Sequence, residues 1–213
     1  MGILRGKVGN ADKIKANLID FLLEHNDFKL IINEVPFLSA NRWADIVAIH
    51  DNTIVGFEIK SDQDNLKTLS SQLSDYIKVF NEVYLVLAEK FINNFELNNI
   101  SKSIGLIIIK GDFSIEIKRK AKSKNRLDKK SLMTLLWRKD LEQLCPLKKN
   151  AELSDLRDFV LKTVSLKKIQ EKVISALDNR YGNAYRLFLK DRGNYTTIED
   201  LRTITKIKKP PVF

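Results

Sequence analysis

Hydrophobic and polar positions follow two different periods in the first sixty residues. Residues 11–25 carry apolar side chains at helical spacing and predict a first helix. Residues 28–35 are rich in β-branched side chains and predict a strand, which Pro36 would end. Runs of the same kind at 42–49 and 53–60, separated by Asp and Asn, predict a β-hairpin.

The middle of the chain predicts the remainder of a sheet. An amphipathic helix is expected from about Asn65 to Phe80, followed by a buried strand from Val83 to Ala88 and a short helix over Phe91–Asn99. Two more strands are expected at Ile104–Ile109 and Phe113–Ile117. Together with the hairpin, these elements predict a mixed sheet of five or six strands.

Helical periodicity dominates from Lys130 onward. Ser154 and Ser165 are candidate N-caps of two helices, and Gly182 predicts the end of the second. The chain as a whole therefore predicts an α/β fold, in which a mixed sheet flanked by helices precedes a C-terminal helical region. The sequence leaves open whether those helices form a DNA-binding bundle, a dimerisation surface for a homodimer, or a lid.

A polar, basic segment separates the predicted sheet from these helices. We divide the chain into a core over 1–117, a basic linker over 118–127 and a basic helical region over 128–213. The linker would either grip phosphates with little sequence specificity or form a solvated connection. Its candidate nucleic-acid-binding residues are Lys118, Arg119, Lys120, Lys122, Lys124 and Arg126.

Charge is divided unevenly between the two halves of the chain. The formal net charge is +10, but the residues up to Glu116 include 12 Lys and Arg against 16 Asp and Glu, whereas those from Ile117 onward include 25 against 11. An acidic pocket beside a basic surface suits an enzyme that acts on a polyanion, so we expect DNA as the partner. The alternative is that Lys-rich helices serve only solubility.

Other classes of site and location are limited by composition. Cys145 is the only cysteine, so a multi-cysteine zinc site is excluded and metal chemistry would have to come from carboxylates. No run reaches the apolar length of a membrane span, so we expect a cytoplasmic protein without membrane contact. We interpret Trp43 and Trp137 as core anchors rather than base-stacking platforms.

Polar side chains gather on one face of the predicted hairpin. Gly56, Glu58 and Lys60 alternate onto the same face of its second strand. A turn at 51–52 would place Asp45 across from them. Two carboxylates beside an ammonium are what a divalent metal and an activated water require, and Gly56 would leave room for a metal or phosphate to approach.

These residues resemble the PD-(D/E)xK motif of the restriction-endonuclease-like nuclease superfamily. Asp45 matches its first acidic position, and Glu58-Ile59-Lys60 matches the (D/E)xK triplet at the end of the next strand. Ala44 stands where the oldest form of the motif has proline. Because the carboxylate is the ligand and the proline only shapes the strand, this departure does not count against activity.

Further residues extend the likeness. Glu34 matches an acidic residue that often precedes the motif, and Gln72 with Tyr76 matches the Gln-x-x-x-Tyr element of RecB-like and Holliday-junction-resolvase-like branches. More narrowly, the chain from about Ala11 to Tyr181 is similar to a family of small bacterial and phage PD-(D/E)xK proteins, most of them uncharacterised.

The resemblance implies a restriction-endonuclease-like core and a Mg²⁺- or Mn²⁺-dependent nuclease that hydrolyses phosphodiester bonds in DNA, with RNA left open as a substrate. The alternative is a catalytically inactive module of the same fold that binds nucleic acid or a partner. Arg42 would contact phosphate or pair with Glu34. The implied metal ligands are Asp45, Glu58 and Glu34, and the implied catalytic set is Lys60, Asp45, Glu58, Gln72 and Tyr76.

Overall fold

The computed structural model describes residues 11–25, 27–92, 100–145 and 151–205. The strands within these residues are β1 (Leu30–Phe37), β2 (Arg42–His50), β3 (Thr53–Lys60), β4 (Glu82–Ala88), β5 (Gly105–Ile109) and β6 (Ile115–Arg119). The α-helices are α1 (Ala11–His25), α2 (Leu69–Val79), α3 (Lys129–Met133), α4 (Arg138–Glu142), α5 (Leu153–Thr163), α6 (Leu166–Asp191) and α7 (Ile198–Thr205).

The six strands form one mixed sheet in chain order, β1 to β6. The β1–β2, β2–β3 and β5–β6 pairs are antiparallel, whereas β3–β4 and β4–β5 are parallel. The helix α2 makes the crossover between β3 and β4, as parallel pairing requires. The predicted α/β fold and the hairpin turn at Asp51 and Asn52 are thereby confirmed.

The first strand continues through Pro36 to Phe37, so the predicted end before Pro36 is wrong. A proline has no N–H for a sheet ladder, but β1 is an edge strand with one neighbour, and Pro36 still pairs with Trp43 of β2. The turn after β1 holds Leu38, Ser39 and Ala40 in left-handed backbone conformations, with φ of 50°, 58° and 62°. Side chains other than glycine adopt this region at a cost in free energy.

Three helix boundaries differ from the predicted ones. The helix α5 begins at Leu153 with Glu152 at its N-cap position, so Ser154 lies inside the helix and is not its N-cap. The helix α2 begins at Leu69 instead of Asn65. The helix α6 continues through Gly182 to Asp191, because its buried stripe continues beyond the glycine with Tyr185 and Phe188. Gly182 has no positive φ and so does not form the expected helix end. The predicted short helix over Phe91–Asn99 lies largely outside the described residues, apart from a 3₁₀ turn at Glu89–Phe91.

The basic segment is hydrogen-bonded along the sheet. Its first two residues, Lys118 and Arg119, complete β6, so the strand extends past residue 117. The Lys122 amide donates to the Ser103 carbonyl, and the Lys124 amide donates to that of Asn81. These bonds fix the path of the chain from the sheet to the C-terminal helices.

One hydrophobic core connects the sheet to the C-terminal helices. Buried side chains of α3, α5 and α6 belong to the same cluster as those of the strands. The helices α6 and α7 pack on β1, while α1 contacts β3 and α2 contacts β4. Among the helices of the described residues, none combines the length and apolar character needed to cross a membrane.

The space above Gly56 is filled by a ring, which corrects our expectation that a metal or phosphate would approach there. A Cβ on Gly56 would lie 2.5 Å from Cδ2 and 2.7 Å from Cγ of Phe80. Phe80 is fully buried and makes tilted ring contacts with Phe37 and Tyr76 at centroid distances of 5.3 and 5.2 Å. Glycine is needed at this position for close packing of α2 on β3.

We expect Gly56→Ala to lower the free energy of unfolding by about 2–3 kcal/mol, because the added methyl overpacks against a ring with little room to move. Urea unfolding followed by circular dichroism measures this difference. Gly193→Ala is the matched control, since nothing lies within 4 Å of a Cβ built at Gly193. Equal stability of the two variants would contradict the packing argument.

Candidate active site

A row of three carboxylates crosses the first three strands. Glu34 and Asp45 lie between the Asn33–Ile46 and Val35–Ala44 pairs of β1 and β2, with Glu34 in a left-handed backbone conformation at φ 57°. Asp45 and Glu58 each lie one residue beyond the Ile46–Phe57 pair of β2 and β3. The hydrogen-bonded pairing of β2 with β3 ends at Ile46 and Phe57, one residue before the two acids meet. The strands therefore open where their carboxylates face each other, at the carboxyl end of β3.

Asp45 is held at this opening by backbone and charge. The Ile59 amide donates to Asp45 Oδ2 at 2.8 Å, and Lys15 Nζ lies 3.7 Å from Oδ1. Burial raises the pKa of Asp45 to about 6, with a further increase from the neighbouring Glu58 charge, while Lys15 opposes the shift. Burial and the neighbouring carboxylate thus outweigh the nearby lysine at Asp45.

Lys15 of α1 is a site residue that the sequence analysis missed. Its side chain is buried, and its Nζ donates to Glu34 Oε1 at 2.9 Å. The helical pattern contained a signal, because position 15 falls on the buried face of α1 between Ile14 and Leu18. A lysine on an apolar face normally needs an acidic partner.

Glu58, Lys60 and Gln72 form a closed hydrogen-bonded triangle. Lys60 Nζ lies 2.7 Å from Glu58 Oε1 and donates to Gln72 Oε1 at 2.9 Å. Gln72 Nε2 donates back to the same Glu58 oxygen at 2.6 Å. Glu58 and Lys60 are 2% and 7% exposed, so this ion pair is largely removed from water. A helix residue thus orients both charged groups of the (D/E)xK triplet.

Tyr76 contacts the backbones of both strands as well as the Glu58 side chain. Its hydroxyl accepts from the Asp45 amide at 3.3 Å and lies 3.4 Å from the Phe57 carbonyl, to which it can donate. Burial raises its pKa well above the usual range, with a smaller contribution from the Glu58 charge. The phenol is therefore neutral and fixes the open ends of β2 and β3 relative to α2.

Arg42 pairs with α2 and not with Glu34. Its Nε donates to Asp75 Oδ2 at 2.8 Å, and its Nη2 donates to Ser71 Oγ at 3.1 Å. Hydrogen bonds from Lys78 and Arg42 lower the pKa of Asp75 despite partial desolvation. Of the two roles considered for Arg42, the pairing with Glu34 is wrong, and contact with phosphate stays a prediction.

The basic segment lies away from the carboxylates. Its residue Lys124 is bonded to Asn81, which precedes β4 and whose side chain accepts from the Ile54 amide. Glu58 lies four residues further along β3, a distance of about 13 Å along the strand. Lys118 is paired with Glu116 on the edge strand β6, three strands away from β3, so the phosphate contacts predicted for this segment would not occur beside the carboxylates.

Trp43 is not a core anchor, contrary to our interpretation of the sequence. Its side chain is 50% exposed, because β2 begins at the open end of the sheet. Trp137 lies partly buried, with the Arg180 guanidinium 4.6 Å from its ring centroid. The two tryptophans therefore occupy different environments.

A metal would find two facing carboxylates here. Asp45 and Glu58 supply hard oxygen donors. The Glu58 charge adds to the increase that burial causes in the pKa of Asp45, so a cation between them would favour the ionised Asp45 carboxylate. Across the residues that the structure describes, no set of three His, Cys, Asp or Glu side chains is close enough to hold an ion together. The Glu34 carboxylate instead forms an ion pair with Lys15. The donor chemistry thus fits a divalent ion with two protein carboxylates, and waters would complete its shell.

Comparison with known proteins places the chain in a phage family. The family model described as Bacteriophage P4 protein cII matches residues 7–205. The chain is also 31% identical over 208 residues to Protein cII of Enterobacteria phage P4, covering 92% of this chain and 78% of that protein. The chain therefore belongs to the Bacteriophage P4 protein cII family.

Among solved structures, the chain is similar to a protein of unknown function from Silicibacter pomeroyi. The two share 19% sequence identity and a TM-score of 0.40, and the match covers 54% of this chain and 72% of the other.

We expect Asp45→Asn to stabilise the protein at neutral pH. Because the folded state raises the pKa of Asp45 to about 6 from an ordinary value near 4, the folded protein binds more protons than the unfolded chain between these values. The contribution of Asp45 to the free energy of unfolding is complete below pH 4 and is lost as the pH rises through about 6. The variant should match the wild type near pH 4 and exceed it by about 2–3 kcal/mol at pH 7.5.

Urea unfolding of both proteins across this pH range measures the difference. Asp112→Asn is a control of opposite sign, because hydrogen bonds from Ser114 lower the pKa of Asp112. That variant should be less stable than the wild type at neutral pH, with the difference vanishing in acid. A difference for Asp45→Asn that does not change with pH would contradict a raised pKa.

Proposed function

We propose that this protein is a metal-dependent nuclease that hydrolyses phosphodiester bonds in DNA, in the cytoplasm, with Mg²⁺ or Mn²⁺ as its cofactor. The observation that carries the proposal is the pair of facing carboxylates, Asp45 and Glu58, with Lys60 held beside them by Gln72. The resemblance to the PD-(D/E)xK motif supports the same assignment of residues.

Asp45 and Glu58 would hold the metal, which supplies a Lewis acid for the phosphate and an activated water when bound. Lys60 would orient the attacking water and donate hydrogen bonds to the non-bridging phosphate oxygens, on which negative charge develops. Water adds to phosphorus and gives up a proton to solvent, the bond to the departing deoxyribose oxygen breaks, and that oxygen takes a proton from solvent. Glu34 would assist from the next strand.

Gln72 and Tyr76 would act as positioning residues. Gln72 contacts both Lys60 and Glu58, so it sets the distance between the ammonium and the carboxylate. Tyr76 fixes the backbone of Asp45. Both residues lie on α2, four positions apart, so the position of this helix would determine the positions of Lys60, Glu58 and Asp45.

We expect Lys60→Met to lower the rate of DNA cleavage by a factor of about 10²–10³, because transition-state charge loses a buried donor. Cleavage of supercoiled, linear, single-stranded and branched DNA, and of RNA, is measured with Mg²⁺, Mn²⁺ or chelator. Lys90→Met is a matched control, since Lys90 is an exposed lysine on the 3₁₀ turn after β4. Wild-type cleavage by Lys60→Met would refute this mechanism.

Mg²⁺ should raise the melting temperature of the wild type, by about 2–4 °C for each kcal/mol of binding free energy. Asp45→Asn should lose this response, since one of the two carboxylates is gone. Differential scanning fluorimetry with Mg²⁺, Ca²⁺ and chelator reports binding without any need for activity. An equal response of both proteins would place the bound ion elsewhere.

A second candidate is a catalytically inactive module that binds nucleic acid or a partner. The observation that favours it is that each acid has a lysine partner, with Lys60 Nζ 2.7 Å from Glu58 Oε1 and Lys15 Nζ 3.7 Å from Asp45 Oδ1. Such a module would bind DNA equally well in chelator and would show no Mg²⁺-dependent change in melting temperature. The cleavage and melting experiments above therefore separate the two functions.

A further inference from the structure

The largest side chain at the open end of β2 stands in solvent. Trp43 is 50% exposed, whereas the next residue, Ala44, is fully buried. Other large apolar residues that are exposed in the described part of the chain lie outside the first three strands, on β6, on α6 and in the segment after α6. Trp43 is therefore an isolated exposed aromatic side chain on the strand that carries Asp45. No exposed large apolar residue of β1 or β3 surrounds it, as would be expected at a protein interface.

The strand places this ring beside the carboxylates. Trp43 and Asp45 are two residues apart, so their side chains leave the same face of β2 at a separation of about 7 Å along the strand. Stacked nucleotides advance by about 3.4 Å along one strand, and further when the strand is extended. A phosphate at Asp45 and a base at Trp43 would therefore be one or two nucleotides apart.

The backbone that carries the ring is fixed from two sides. Trp43 pairs with Pro36 on β1. Its carbonyl lies 3.5 Å from the Tyr76 hydroxyl, the same group that accepts from the Asp45 amide. The position of the indole is thus coupled to that of the carboxylate through one helix residue.

We propose that Trp43 is a stacking platform for one unpaired nucleobase next to the bond that is cut, so that the substrate is single-stranded at the cut, as at a free end, a flap or a branch. The inference rests on the proposed nuclease function and adds its substrate class. Bases within a duplex already stack on one another, so an exposed indole can use only a base that is unpaired or flipped.

The first experiment uses the fluorescence of Trp43 itself. The chain contains two tryptophans, so Trp137→Phe leaves Trp43 as the only one. This protein is titrated in chelator with a 12-nucleotide oligo(dT) and with a blunt-ended duplex of two complementary 12-nucleotide strands, while anisotropy of a labelled strand reports binding. Oligo(dT) should quench the emission, and the duplex should not.

The second experiment measures affinity. Trp43→Ala should weaken oligo(dT) binding about 5- to 150-fold, the range expected for loss of one base–aromatic stack, while Trp43→Phe should keep most of the affinity. Tyr195→Ala is the matched control, because Tyr195 is an aromatic residue that is 76% exposed in the segment between α6 and α7. It should leave binding unchanged.

The outcomes separate this inference from the proposed function. Oligo(dT) binding without quenching, or equal affinity of Trp43→Ala and the wild type, would overturn the platform even if the protein cuts duplex DNA. Quenching and loss of affinity in Trp43→Ala, without cleavage in Mg²⁺ or Mn²⁺, would support the platform and refute the nuclease. Failure of the wild type to bind any single strand would overturn the platform, whereas the nuclease would be refuted only by the absence of metal-dependent cleavage of every DNA substrate.

Discussion

The burial of opposite charges at the open end of β2 and β3 is the constraint on which this site depends. Glu58, Lys60 and Lys15 are all less than a tenth exposed, and Asp45 faces Glu58 from the neighbouring strand. A buried ion costs several kcal/mol unless it is paired and hydrogen-bonded, so each of these groups requires the others. The compensation is incomplete at Asp45, whose pKa is raised to about 6. Burial is the main cause of this increase and the neighbouring Glu58 charge is the second, and a divalent cation would oppose both by favouring the ionised carboxylate.

Backbone hydrogen bonding explains why the strands open without leaving orphan groups. Past the last Ile46–Phe57 pair, the ladder no longer satisfies the amides at this end. The Asp45 carboxylate accepts from the Ile59 amide, and the Tyr76 hydroxyl accepts from the Asp45 amide. Side-chain oxygens therefore accept the amide hydrogen bonds that the strand pairing no longer provides. The same two hydrogen bonds orient the Asp45 carboxylate and hold its backbone.

The C-terminal region is hydrogen-bonded to α1 and β1, which carry two of the charged residues of the site. Asp20 of α1 accepts hydrogen bonds from Thr196 and from Arg192, in the segment between α6 and α7. Asn33 of β1 donates to Thr205 at the end of α7. These bonds tie the two elements that carry Lys15 and Glu34 to the C-terminal region. Because that region shares one hydrophobic core with the sheet, it contributes to the geometry of the carboxylate row.

Local geometry explains which features could be predicted from the sequence. Side chains alternate along a strand with period two, so the hairpin turn was sufficient to place Asp45 across from Glu58. Gln72 and Tyr76 share a helix flank because they are four residues apart. The α/β fold followed from the order of strand and helix patterns in the same way.

Contacts between distant elements account for what the sequence did not reveal. Gly56 and Trp43 were misjudged because their surroundings depend on Phe80 and on the open end of the sheet, and Gly182 stays helical because its neighbours are buried. The positions of the candidate groups along each element were thus determined by the sequence through the helix and strand periods. The partners of Lys15, Arg42 and Trp43 were decided only by the tertiary structure, because burial and charge pairing depend on residues that are far apart in the chain.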